Sequence, residues 1–194
     1  MTDPDTPPGW SYNPASWPQR LPIIAAAVVG FVIAAYLALY QARVFPTVWD
    51  PVFGSGSEIV LNSWVAKGTE RTLGVSDAAV GAFGYFADAL TGVIGSTRRW
   101  RTMPWLVLLF GVFVGPLGAV SVLLVVMQPF VGGWCFLCLV TALISVVMIG
   151  PAMDEVLASL QFLQSERRAG RSVWRALWGQ APEPTAPAVV PAWG

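Results

Sequence analysis

The chain has 194 residues, 55% of them hydrophobic and 11% charged, with eleven Lys and Arg offset by eleven Asp and Glu. That balance excludes an ordinary soluble globule and assigns the chain to a bilayer, and the lack of a basic surplus excludes a nucleic-acid surface. With no histidine at all, imidazole bases, His-dependent triads and His-ligated haem or zinc are excluded too.

A helix needs ~20 mostly apolar residues to cross ~30 Å of hydrocarbon, and four segments qualify. The first, Leu21 to Gln41, is uncharged and opens with Pro22, whose missing amide proton suits a first helical turn. Its flank, residues 1–20, carries Pro, Asp and Trp rather than a short basic run, so the segment reads as a retained anchor behind a cytoplasmic N-terminal stretch. The 35-residue loop from Ala42 to Ser76 is long for a bundle connection. Within it Phe53-Gly54-Ser55-Gly56-Ser57 predicts a turn. Ile59, Val60, Leu61, Trp64 and Val65 then recur at helical spacing, which predicts a half-helix capping the outer mouth of the bundle.

The second span, Asp77 to Ser96, holds four glycines and the acidic Asp88. The third, Met103 to Met127, has Gly111, Gly115, Pro116 and Gly118 in its middle, which predicts close helix approach and a kink. The fourth, Gly133 to Pro151, contains both cysteines. Beyond it Met153, Val156, Leu157, Leu160 and Leu163, then Val173, Trp174, Leu177 and Trp178, predict an amphipathic surface helix over 152–179. The proline-rich residues 180–194 predict a disordered tail. The expected fold is an all-α integral membrane protein: a four-helix transmembrane bundle over 21–151, an outer capping loop and a C-terminal amphipathic helix.

Orientation follows from the basic residues. Arg20, Arg98, Arg99, Arg101, Arg167, Arg168, Arg171 and Arg175 make eight on one side, against Arg43, Lys67 and Arg71 on the other. The positive-inside rule therefore puts both termini in the cytoplasm, with the loop 42–76 and the link Gln128 to Gly132 outside.

Trp134-Cys135-Phe136-Leu137-Cys138 sets two thiols three residues apart in the first turn of the fourth helix, at its outer end. Structural zinc needs four ligands, and no His or third Cys exists to complete a set, so no metal is expected. Two readings stay open. One is a dithiol cycling with a disulfide, its thiolate stabilised by the helix N-terminus on the oxidising side of the membrane. The other is a pair of small buried hydrophobes. Further along, Cys138, Thr141 and Ser145 share a mildly polar stripe, and Asp77, Gly81, Gly84, Tyr85 and Asp88 share a face of the second span. An acid within hydrocarbon marks a functional or buried polar site, so Asp88 reads as a proton relay or as a group held neutral by Tyr85. Asp77 reads as part of that face or as a plain helix N-cap.

In order and spacing, the outer loop, the run Asp77-Ala78-Ala79-Val80-Gly81-Ala82-Phe83-Gly84-Tyr85, the arginine-rich link and the Trp-Cys-Phe-Leu-Cys segment together resemble the vitamin K epoxide reductase family over about residues 21 to 151. Trp49-Asp50-Pro51-Val52-Phe53-Gly54 is similar to a segment of bacterial members. The resemblance implies an enzyme that exchanges electrons between Cys135-Cys138 and a membrane quinone such as menaquinone or ubiquinone, in a bacterial plasma membrane. It implies that Cys138 faces the quinone, that Cys135 is its disulfide partner leading to the electron donor, and that Phe53, Asp77, Tyr85 and Ala142 occupy quinone-site positions. Three departures accompany it. The loop lacks the family's second cysteine pair, with Val48 where a Cys often precedes the Trp. Asp77 stands where an Asn donates to a quinone carbonyl, and an ionised Asp only accepts. Ala142 stands where a Tyr supplies a hydroxyl. A separate thioredoxin-like protein must then reach Cys135 directly. The alternative is a non-catalytic membrane protein that keeps the fold and one disulfide for assembly. A channel or transporter is disfavoured, because apart from Asp77 at the start of the second span Asp88 is the one Asp, Glu, Lys or Arg within the spans.

Overall fold

A computed structural model describes residues 5–180, and among them all regular structure is helical. The proline-rich tail lies almost wholly outside the described residues. Ser16 is extended and Trp17-Pro18 make the first turn, so α1 (Trp17–Gln41) starts four residues before the uncharged run and Pro22 falls inside it. That earlier start carries Arg20 into the helix, where its side chain turns inward. The loop holds two helices rather than one, α2 (Gly56–Leu61) and α3 (Trp64–Leu73). They break at Asn62-Ser63 because Ser63 caps α3, its hydroxyl oxygen accepting the Ala66 N–H.

The second predicted span is α4 (Asp77–Val93), capped by Ser76, whose oxygen accepts the Ala79 N–H. This corrects the N-cap reading of Asp77, which is the first helical residue. The helix stops three residues short of Ser96, and Gly95 takes a left-handed φ of 92° just beyond it. A short α5 (Arg99–Thr102) leads into α6 (Pro104–Met127), which runs unbroken through Pro116. A 3-10 turn, Gln128–Val131, follows. The fourth predicted span becomes α7 (Phe136–Arg168), a single helix that continues through Pro151, where a separate surface helix was expected to begin. Gly170, at φ 71°, ends this excursion before α8 (Val173–Leu177).

Helices α1, α6 with its 3-10 extension, and α7 are each long and apolar enough to cross a membrane. The chain is an all-α integral membrane protein. The 17-residue α4 packs mainly on α1, α6 packs mainly on α7, and α1–α7 and α4–α6 contacts close the bundle. Its core is Ile23, Ala27, Ala34, Tyr85, Phe110 and Met148 with their neighbours, while Val32, Phe83, Val112 and Leu143 point outward. In water those outward side chains would be a liability; against lipid they are the expected surface. Gly30 lets α4 approach, since a Cβ there would lie 2.7 Å from the Tyr85 ring.

The opposite end of the bundle from the cysteines is held by buried charge. Arg20 and Arg99 are each 1% exposed. Arg20 donates to the carbonyls of Gly92, Ile94 and Gly95, and Arg99 to those of Thr91 (2.5 Å) and Ile94 (2.9 Å), so both cap the end of α4. Glu155 of α7 pairs with Arg99 through both carboxylate oxygens. Two of the arginines counted as inner-face charges are therefore structural plugs. The preceding segment docks here as well, through Trp10 to Gln161 and Tyr12 to Asp154.

Candidate functional site

The turn before α7 is built by Pro129 and by Gly132, which takes a φ of 80°. It brings Cys135 into extended backbone as the N-cap of α7, so Cys135 precedes the helix and only Cys138 lies within its first turn. The Cys135 sulfur accepts the Cys138 N–H at 3.2 Å, a capping role usually taken by an oxygen. The two cysteines form a disulfide, with their Cα atoms 5.2 Å apart. The pair is thus joined rather than packed as two separate thiols.

The two sulfurs sit in different surroundings. Cys135 is fully buried, in a cluster with Leu37, Val48, Leu61 and Leu137. Val48, at the position where the resemblance expects a loop cysteine, is thus part of the packing around Cys135. Above it, Asp50 fastens the loop to the turn. Its Oδ1 accepts the Val52 and Phe53 amides at 3.0 and 2.7 Å, and its Oδ2 accepts the Ser57 hydroxyl at 2.6 Å and the Phe136 amide at 3.3 Å. Burial pushes the Asp50 carboxyl up, but these donors outweigh it and hold its pKa below the usual 3.8. Gly56 lies so close that a Cβ would collide with the Trp134 carbonyl oxygen. From below, Gln128 is 2% exposed and its Oε1 accepts the Cys135 N–H at 2.9 Å.

Cys138 is half-buried and lines a cavity of about 90 Å³, with Asp77, Tyr85, Gln128 and Thr141 among mostly aliphatic walls. Asp77, Gly81, Tyr85 and Ser121 are shared with a second cavity of about 100 Å³ that continues between α4 and α6 past Asp88. Apolar walls with a few polar groups are the lining typical of a small-molecule site. Asp77 Oδ1 accepts from Gln41 Nε2 at 2.7 Å. The Tyr85 hydroxyl donates to the Thr141 carbonyl at 2.6 Å and shares a 2.7 Å bond with Ser145. It therefore joins the polar stripe of α7 and does not hold Asp88. Asp88 is 4% exposed, and its Oδ1 has no hydrogen-bond partner among the described residues.

Of the residues singled out in the sequence, Cys138, Asp77 and Tyr85 come together around one chamber, and Asp88 borders its extension. Phe53 does not line either cavity; its ring sits 6.4 Å from that of Trp134, beside the turn before α7. Ala142 is buried one turn beyond Cys138 and also lies outside the lining. Three polar partners escaped the sequence reading: Asp50 as a clamp, Gln41 against Asp77, and Gln128 beneath Cys135. Gln128 left one signal, a lone amide at the end of an apolar run just before Pro129.

No curated protein and no solved structure matches the chain. Among known families, residues 21–152 match the vitamin K epoxide reductase family. That match spans more than half of the sequence and encloses the loop clamp, the chamber and the disulfide, and the protein belongs to the vitamin K epoxide reductase family.

Proposed function

We propose that the protein is a thiol-quinone oxidoreductase that exchanges electrons between Cys135-Cys138 and a membrane quinone, linked to disulfide formation outside the cytoplasm. Membership of the family makes it a membrane redox protein. The observation that carries the finer reading is the asymmetry of the disulfide: Cys138 borders an apolar chamber, whereas Cys135 lies beneath the outer loop. In the oxidising direction, two S–H bonds break and one S–S bond forms. The two electrons and two protons pass to the quinone, whose carbonyl oxygens become the hydroxyls of the quinol.

In this reading α4 is the fourth crossing, both termini are cytoplasmic in a bacterial plasma membrane, and the cysteine pair faces the outside. Asp77 accepts a hydrogen bond from the quinol, and Asp88 relays protons along the α4–α6 groove. A separate thioredoxin-like protein on the outer face supplies or removes the electrons through Cys135. Mass-tag alkylation of both cysteines in native membranes, with and without added quinone, tests the reading. Quinone should convert the reduced pair to the disulfide, and Cys138→Ala should abolish quinone-dependent oxidation. Unchanged quinone turnover in that variant sinks the proposal.

The complete burial of Cys135 favours a second reading, a static disulfide that fastens the loop for assembly. A disulfide indifferent to quinone and to dithiol proteins, and merely destabilising when removed, supports it.

A further inference from the structure

Gln128 has one end of its amide committed and the other free. Its Oε1 holds the Cys135 N–H, and because only the oxygen of an amide accepts, that bond fixes how the group is turned. Nε2 then carries two donors with no protein partner among the described residues, although the residue is 2% exposed and lines the chamber beside Cys138. Donors that open onto an otherwise apolar chamber are placed to serve an acceptor that enters it.

The other polar side chains of the chamber offer little donor capacity. Tyr85, Ser121 and Thr141 spend their hydroxyl protons on backbone carbonyls, and Asp77 is engaged by Gln41. Ser63 keeps a rotatable hydroxyl proton, but it belongs to the loop helix and not to the turn that carries the disulfide.

We propose that Gln128 Nε2 donates a hydrogen bond to a carbonyl oxygen of the quinone that reacts at Cys138. The inference rests on the thiol-quinone reading and adds a substrate-binding residue to it. It supplies, from the link before the cysteine pair, the donor that neither Asp77 nor Ala142 provides. One amide then touches both reactants: its oxygen steadies the backbone of Cys135, and its nitrogen orients the quinone. The donor also meets negative charge as it builds on the carbonyl oxygen during reduction, so its contribution is larger in the transition state than in the bound complex.

The test uses the full chain in nanodiscs, with decylubiquinone as the quinone and dithiothreitol as the dithiol. Assayed at about pH 9, where even a buried carboxyl is largely ionised, Gln128→Glu keeps an acceptor for the Cys135 N–H and removes the donor, so kcat/KM for decylubiquinone should fall roughly ten- to hundredfold relative to the unaltered protein at the same pH. Its rate of disulfide reduction by dithiothreitol without quinone should stay within about twofold, because the Cys135 contact survives. Gln128→Leu loses both ends and should be impaired in both assays. In the unaltered protein, one carbonyl stretch of bound decylubiquinone should shift to lower frequency than in free quinone. Wild-type kcat/KM in Gln128→Glu, or an unshifted carbonyl band in the unaltered protein, overturns the assignment alone. Absence of any decylubiquinone turnover by the unaltered protein overturns the thiol-quinone reading, and the assignment with it.

Discussion

Asp50 Oδ2 accepts the Phe136 amide at 3.3 Å, joining a loop residue to the first helical residue of α7, 86 positions away in the sequence. The same carboxylate orders its own turn through Val52 and Phe53 and captures Ser57 at the start of α2. One anion at the positive end of a helix therefore holds the cap over Cys135.

Asp50→Ala should loosen that cap. It strands the Ser57 hydroxyl and the Phe136 amide, at a cost of about 1–3 kcal/mol. Reduced Cys135 should then alkylate faster while Cys138 changes little, which differential mass tagging checks. The folded pKa of Asp50 lies below the usual 3.8. The clamp is thus complete above that value and is lost only as pH falls through the lower, folded one. Cys135 accessibility should be flat between about pH 5 and 8 and rise only in strong acid; a rise near neutrality contradicts the clamp.

Gly56→Ala should open the same place by steric force. Its Cβ meets the Trp134 carbonyl oxygen, which is backbone and cannot rotate away. Overpacking of this kind costs about 1–3 kcal/mol. Gly54→Ala, in the same turn with open space around it, separates the two causes. Gly54 also has a positive φ of 58°, so that variant should strain the turn without exposing Cys135. Equal Cys135 alkylation in the two variants contradicts the contact.

The bundle was legible because spans announce themselves by composition: Leu21 to Gln41 and Met103 to Met127 lie almost wholly within observed helices. The cysteine pair was legible because two thiols at that spacing have few uses. The polar partners were not, since each acts across a long sequence distance. Nothing near Gln128 says that a 3-10 turn folds its amide back to Cys135, and nothing near Arg20 or Arg99 separates a surface charge from one that caps α4. The length of α7 was missed because Pro151 reads as a stop, whereas packing of Ala152, Val156 and Ala158 carries the helix on.

Arg99 and Glu155 should behave as a coupled pair. Glu155→Gln leaves Arg99 buried without its counter-charge and beside Arg20, a loss of about 3–5 kcal/mol. Arg99→Leu strands the Glu155 carboxylate and the carbonyls at the end of α4. The double variant should be less destabilised than the sum of the two, with a coupling of about 1–3 kcal/mol by thermal unfolding in one detergent. Turnover per folded molecule should hold, because the pair sits at the opposite end of the bundle from the disulfide. Additive losses contradict the coupling.

On the proposed reading, Asp88 should set stability against turnover. Its carboxyl is buried with one oxygen on the wall of the α4–α6 groove, and no described residue donates a hydrogen bond to that oxygen. Asp88→Leu should therefore stabilise the protein, by about 1–3 kcal/mol, since an apolar side chain of similar size replaces an unsatisfied polar one. Asp88→Asn keeps the shape but cannot pass a proton. If the acid relays protons to the quinone, both variants should lose roughly 10²-fold or more in kcat with little change in KM, as expected for a proton-transfer group. A higher unfolding temperature with lost turnover identifies a group kept for chemistry at the expense of stability. A higher unfolding temperature with full turnover removes Asp88 from the reaction and leaves the groove as lining for the ligand alone.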